Sequence, residues 1–125
     1  MIGRQFILPM PPTSNHGYKT AGYTEKATGL PKAVTYKGAE LKKWETEVAK
    51  VIGDYEPPKR TPLRVDVTLW LPRTQLYKID VDGPVKFCLD RVIGKRRDQW
   101  ITRLTVTKLE QVYAPCVVVN VEETA

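Results

Sequence analysis

Three aspartates lie close together in the stretch YKIDVDGPVKFCLDRVIGKRRDQWI, residues 77–101. Asp80 and Asp82 are separated by one residue, so in an extended segment their side chains point the same way and can share one hard cation. Asp98 follows Gly94, where a helix is predicted to end, and a short turn could fold it back toward the first two. Such a set offers carboxylate oxygens, which suits Mg²⁺, with Mn²⁺ as a substitute, rather than zinc.

Each of these residues also has a purely structural interpretation. Asp82 suits a helix N-cap, Asp80 suits a surface strand and Asp98 suits a turn. Lys86 and Asp90 are four residues apart on the predicted helix, where an ion pair contributes only about a few tenths of a kcal/mol. The spacing alone therefore leaves a metal site and an ordinary helix entry both open.

The chain is strongly basic. It carries 20 Lys and Arg against 14 Asp and Glu, which gives a formal net charge of +6. This balance favours an anionic partner, with nucleic acid before a membrane surface. A metal ion held by the acids would screen them from a phosphate and polarise a P–O bond. A solvated basic face is the alternative. The bases near the acids that are candidates for phosphate binding are Lys78, Arg91, Lys95, Arg96 and Arg97.

The composition is that of one domain. A chain of 125 residues can bury roughly two-thirds of its unfolded surface. Cys88 and Cys116 form no CxxC pair, so we expect buried free thiols. The first residues lack a secretory pattern, and no 18 apolar residues run together. We therefore expect a cytoplasmic protein that does not enter membranes.

Apolar periodicity predicts a small α+β domain. Two helices are expected to cover one face of a mixed sheet. The helices are GAELKKWETEVAKVIG and the segment that begins near Pro84 and ends before Gly94, and the strands are RQFILP, LRVDVTLWLP, ITRLTVTKLEQV and PCVVVNVEE.

Residues 13–37 show no apolar period, and they predict a long, mobile, basic loop. This segment holds four lysines and three tyrosines, a composition that suits contact with a phosphate backbone. We expect Lys19, Lys26 and Lys32 to make such contacts. A solvated loop with no role is the alternative.

Taken together, these segments resemble RusA, a family of Holliday junction resolvases of bacteria and prophages. ILPMPPTSNHGY is similar to that family's first strand, proline-rich turn and Asn-bearing segment. DVDGPVKFCLD and RDQWI are similar to its pattern Asp-x-Asp-Asn, Lys, Asp, and then Asp-Asp-x-Gln-aliphatic. The similarity covers nearly the whole chain. Gly83 stands where the family usually has Asn, and Arg97 stands where it usually has the first Asp of the pair.

The resemblance implies a RusA-like homodimer that resolves four-way DNA junctions by paired symmetric nicks with Mg²⁺. It implies that Asp80, Asp82 and Asp98 are catalytic metal ligands and that Lys86 contacts the scissile phosphate. Supporting roles are implied for Asp90 and Asn15. Two alternatives are an endonuclease for other branched DNA, such as flaps or Y-forks, and a junction-binding protein that no longer cuts.

Overall fold

Six strands and three helices make up the part of the chain that the computed structural model describes, which is residues 3–12, 18–24, 31–94 and 97–124. In chain order the strands are β1 (Gly3–Pro9), β2 (Tyr18–Thr24), β3 (Pro31–Lys37), β4 (Leu63–Leu71), β5 (Ile101–Glu110) and β6 (Cys116–Glu123). The helices are α1 (Ala39–Ile52), α2 (Arg73–Leu76) and α3 (Asp82–Val92), and Asp98–Trp100 form a 3₁₀ turn before β5.

Four of the strands form one mixed sheet in the order β1-β6-β4-β5. β6 is antiparallel to both of its neighbours, β1 and β4, whereas β4 and β5 are parallel. The sequence prediction of a small α+β domain with a mixed sheet is therefore confirmed. No helix among the described residues is both long and apolar enough to cross a membrane.

The sheet has one buried face, and β4 shows why. Its side chains alternate between buried and more exposed along the strand, as expected for residues that point to opposite faces. Val67 and Leu69 lie in the core, whereas Asp66 between Val65 and Val67 is exposed, as its position in the alternation predicts.

Helices α1 and α3 cover that buried face. The side chains of α1 that enter the core recur at helical spacing, and those of α3 do the same. Trp44 is a core residue, as predicted, and its indole Nε1 donates a hydrogen bond to the Pro9 carbonyl at 2.8 Å. Its ring lies 6.3 Å from that of Phe87, so the two helices also contact each other. The buried helical residues are Leu41, Trp44, Val48, Ile52, Pro84, Val85, Phe87, Cys88 and Val92.

The segment 13–37 corrects one expectation. Within it β2 and β3 pair as an antiparallel hairpin, which forms its own two-stranded sheet, rather than an irregular loop. The two strands of a hairpin are held by local backbone hydrogen bonds. The segment therefore forms strands without the apolar alternation that identifies a half-buried strand in a sequence. The pairing places Lys19 opposite Tyr36 and Lys32 opposite Tyr23. Lys26 and Asn15 lie outside the described residues.

The parallel pair of β4 and β5 sets the direction of everything between them. Leu63 pairs with Ile101 at the start of both strands, and Leu71 pairs with Glu110 at their ends. We call the end of the sheet where β4 and β5 begin the Leu63 edge, and the end where both strands stop the Leu71 edge. A chain that leaves β4 at the Leu71 edge must return to the Leu63 edge before β5 begins. Helix α3 makes that return.

Replacing Leu69 by Ala should remove apolar contacts from the centre of the core and lower the free energy of unfolding by about 2–5 kcal/mol. Leu69 is fully buried. Urea unfolding followed by Trp fluorescence measures the change. Asp66→Ala, on the exposed face of the same strand, is the matched control, and its effect should stay within about 0.5 kcal/mol. Equal losses in the two variants would contradict the assignment of the buried face.

Candidate functional site

Helix α3 begins at Asp82, and the way it begins corrects two expectations. Val81 is the N-cap residue, so Asp82 is the first residue of the helix and not its cap. Val81 also has helical backbone angles (φ −68°, ψ −28°), so the segment around Asp80 is not extended there. Asp80 and Asp82 are therefore not placed on one side by the alternation of a strand. Pro84 lies in the first turn, as predicted, where its missing N–H costs no hydrogen bond.

The segment before Asp80 is held against the end of β5 by one lysine. The Lys108 ammonium donates hydrogen bonds to the carbonyls of Leu76 and Ile79, each at 2.7 Å. Lys108 pairs in register with Leu69, near the Leu71 edge. Asp80 follows Ile79 directly, so this edge is where the first two aspartates lie.

Asp82, Lys86 and Asp90 recur every four residues along α3. Residues four apart lie on one side of a helix, and here that side faces away from the core. Asp80, Asp82 and Lys86 are exposed, and Asp90 is half-buried. Two carboxylates and an ammonium are thus accessible together near the N-terminus of α3.

Asp98 lies at the other end of the crossover. It opens the 3₁₀ turn that leads into Ile101, which pairs with Leu63. The 11 residues of α3 span about 16 Å at a rise of 1.5 Å per residue. Carboxylates that share a Mg²⁺ bind it at about 2.1 Å. The structure therefore does not bring Asp98 to Asp80 and Asp82 within one chain, because Asp98 lies at the Leu63 edge and the other two lie at the Leu71 edge.

A pair of carboxylates is nevertheless enough to hold Mg²⁺. Mg²⁺ keeps several waters and is commonly bound through one or two carboxylates and the phosphates of a substrate. Asp80 and Asp82 are exposed and fit that description. Within the described residues, no group of three or more His, Cys, Asp and Glu side chains lies close enough together to hold a metal ion.

The predicted phosphate-binding bases divide into three groups. Lys78 is exposed beside the aspartates. Arg91 forms an ion pair with Glu45 of α1, and Arg97 donates a hydrogen bond to the Pro57 carbonyl at 2.6 Å, so both have partners within the fold. Lys95 and Arg96 lie outside the described residues. For Lys19 and Lys32, the structure gives the position of the backbone in the hairpin.

A basic groove between α1 and α3 was not predicted. Its lining includes Lys42, Glu45 and Lys50 on α1 and Arg91 on α3, and it has a volume of about 680 Å³. Glu45 pairs with Arg91, so the net positive charge of the groove comes from the two lysines. The sequence signal was present, because Lys42 and Lys50 fall on the polar side of an amphipathic helix. Such lysines are ordinary on a solvated helix, so their position does not identify a site.

Cys88 belongs to the core of α3 and not to its exposed side. Burial raises the pKa of its thiol to about 12, which keeps it protonated and unreactive at neutral pH. Cys88 and Cys116 are both free, as expected, although Cys116 is only half-buried. A cysteine ligand or nucleophile beside Lys86 is thus not available.

Comparison with known proteins adds no family to these observations. No family model matches the chain, and no curated protein matches it.

Replacing Arg97 by Ala should remove the part-buried hydrogen bond to the Pro57 carbonyl and the exposed ion pair with Glu56, and lower the free energy of unfolding by about 1–3 kcal/mol. Arg97→Lys should recover part of the loss. Arg103→Ala, which removes an exposed arginine from β5, is the control and should be nearly neutral. Urea titration of the three variants measures these effects, and a neutral Arg97→Ala would mean that the contact to Pro57 contributes nothing.

Proposed function

We propose that this protein is a Mg²⁺-dependent endonuclease that acts on branched DNA, chiefly four-way junctions, which it resolves by paired symmetric nicks. The observation that carries the proposal is the exposed group of Asp80, Asp82 and Lys86 on one helix end of a basic domain. The RusA-like pattern in the same stretch supports it.

In this proposal Asp80 and Asp82 hold the metal ion. When bound, the ion supplies Lewis acidity toward a phosphoryl oxygen and lowers the pKa of a coordinated water. Lys86 lies one helical turn from Asp82 on the same exposed side, where its ammonium can stabilise the charge that develops on a phosphate. Asp90, one turn further along, keeps the side chain of Lys86 oriented.

The hairpin of β2 and β3 is the proposed DNA-binding arm. β1 ends at Pro9 on the Leu71 edge, and Trp44 in α1 contacts Pro9, so the hairpin leaves and rejoins the domain at that edge. This is also the edge of Asp80. Lysines bind phosphates and tyrosines stack on unpaired bases, and the register sets Lys19 and Lys32 each opposite a tyrosine.

A four-way junction has two-fold symmetry, and a homodimer presents one site to each of two opposing strands. Such a dimer would act in the cytoplasm of a bacterial host, where its DNA substrate lies. Most of its affinity would come from phosphate contacts and therefore fall steeply with salt.

A second candidate is a junction-binding protein that does not cut. One observation favours it, which is that Asp98 lies a helix length away from Asp80 and Asp82. Arg97, next to Asp98, adds positive charge at that end. Nicking of an end-labelled junction in Mg²⁺ and in EDTA separates the two candidates, and three-way substrates or flaps show which branch is preferred.

Replacing Asp82 by Asn should abolish Mg²⁺-dependent nicking of a four-way junction while leaving binding unchanged or tighter, since one negative charge near the phosphate is lost. Gel assays of cleavage and of binding measure the two effects. Asp66→Asn removes a charge from the exposed face of the sheet and should cut as the wild type does. A loss of binding together with nicking in Asp82→Asn would mean that Asp82 is structural.

Replacing Lys86 by Ala should reduce the single-turnover cleavage rate by about 10²-fold or more, the scale of losing one electrostatic contact to a transition state. The dissociation constant for the junction should change by less than about tenfold, because many other bases bind phosphates. Lys86→Arg should recover part of the rate. Equal losses in rate and affinity would count against a transition-state role for Lys86.

A further inference from the structure

Two aromatic rings stand in solvent on separate segments of the chain. Tyr77 is 89% exposed and Tyr113 is 83% exposed, and no other aromatic residue is exposed among those whose side chains the structure describes. Val112, next to Tyr113, is 96% exposed. Single exposed apolar residues are common on protein surfaces, so the location of these three decides whether they matter.

Val112 and Tyr113 form the tip of the turn that joins β5 to β6. In the sheet β4 lies between these two strands, so the turn crosses the end of β4 at the Leu71 edge. The backbone N–H of Gln111 donates a hydrogen bond to the Leu71 carbonyl at 2.9 Å, and its side-chain amide donates to the Ala114 carbonyl. The turn is thus anchored on both sides of the two exposed residues.

Tyr77 lies at the same edge, shortly before the acidic group. The Lys108 ammonium binds the carbonyls of Leu76 and Ile79, one on each side of Tyr77 in the chain. The backbone that carries the ring is therefore held against the end of β5, while the ring itself stays in solvent. Asp80 follows three residues after Tyr77. The exposed rings and the first aspartates thus share one end of the sheet.

We propose that Tyr77 and Tyr113 stack on bases that are unpaired at the branch point of DNA, and that Val112 acts beside Tyr113 as an apolar wedge between base pairs. This proposal rests on the proposed function for the identity of the substrate. Aromatic rings stack on every kind of base, so these contacts need no particular sequence. Apolar side chains that enter a base step unstack it.

These contacts select a branch point over ordinary duplex. Phosphate contacts position a protein on DNA, but duplex and branched DNA both offer them. A base that is already unpaired costs less to move onto a ring than a base within a continuous stack. The basic residues therefore supply affinity for DNA in general, and the exposed rings supply the preference for a branch.

A second protein is the competing partner for these apolar residues. A stable interface buries about 800 Å² on each partner and keeps charged residues out of its centre. Val112 and Tyr113 occupy only the tip of one turn, and Tyr77 is followed directly by the exposed Lys78. Insertion into a base step needs only a few apolar side chains, and the chain carries a net charge of +6. DNA therefore fits this surface better than the apolar face of a protein.

The first test compares the affinity for a four-way junction with that for a duplex of the same length, in EDTA so that no metal-dependent cutting occurs. Tyr113→Ala should raise the dissociation constant for the junction about 5- to 150-fold, the loss expected when one base–aromatic stack is removed. The dissociation constant for the duplex should change by less than about twofold, because the phosphate contacts remain. Tyr113→Phe keeps the ring and should bind both DNAs as the wild type does.

Val51→Ala is the control for the loss of exposed apolar surface, because Val51 is exposed on α1, and it should leave both constants unchanged. Equal weakening for junction and duplex in Tyr113→Ala, or no weakening for either, would overturn the proposal. Unchanged junction binding together with a lower sedimentation coefficient of Tyr113→Ala would instead identify the turn as an interface between protein chains.

The second test locates the stacked base directly. A 5-iododeoxyuridine at the branch point cross-links under ultraviolet light to an aromatic ring that stacks on it. Trypsin releases residues 109–125, in which Tyr113 is the one aromatic residue, and residues 74–78, in which Tyr77 is the one aromatic residue. The cross-link should lie in these fragments and disappear when the iodinated base is moved well inside an arm. Cross-links confined to the hairpin of β2 and β3, or equal yields at the two base positions, would contradict the assignment.

The two proposals fail in different ways. If the wild type nicks four-way junctions but the branch-point base cross-links to neither fragment, the stacking role is wrong while the endonuclease stands. If the wild type binds the junction and gives the expected cross-links but never nicks it, the endonuclease is wrong while the stacking role stands.

Discussion

The parallel pairing of β4 with β5 is the constraint on which the rest of the structure depends. Parallel neighbours need a crossover, and the crossover fixes the direction of α3 from the Leu71 edge to the Leu63 edge. The buried side chains of α3, such as Phe87 and Val92, pack in that orientation against the sheet and against the neighbouring helix α1. The direction of α3 decides whether a residue between the two strands lies near the Leu71 edge or near the Leu63 edge.

Residue patterns alone predict the elements that build the core. The alternation in β4 and the helical spacing of Leu41, Trp44 and Val48 both arise from burial on one side, which leaves a period in the sequence. The hairpin of β2 and β3 leaves no such period, because its pairing is local and mixes polar pairs, such as Thr20 with Thr35, with apolar pairs, such as Ala21 with Val34. The strand order could not be predicted from residue patterns either. The position of β6 between β1 and β4 depends on pairing between distant parts of the chain.

The sequence predicts those parts of the site that lie within one helix, but not those that depend on how the strands pair. Asp82 and Lys86 are four residues apart, and their common side of α3 follows from helix geometry. Asp98 is sixteen positions beyond Asp82. Strand pairing decides whether the chain brings Asp98 back to Asp82 or carries it to the start of β5, and residue spacing does not predict that pairing. Likewise, nothing in the run of bases around Arg97 indicates that it donates a hydrogen bond to Pro57, forty residues earlier.

The position of β6 has a consequence for how the protein folds. This strand follows all the other described elements in the chain, yet it lies between β1 and β4, with Phe6 paired to Val119. Contacts that join distant parts of a chain form slowly, because much of the chain must be ordered before they form. The core is therefore completed late, and until β6 arrives the apolar face of β4 relies on the helices alone. A nascent chain in that state presents two open strands to chaperones or to aggregation.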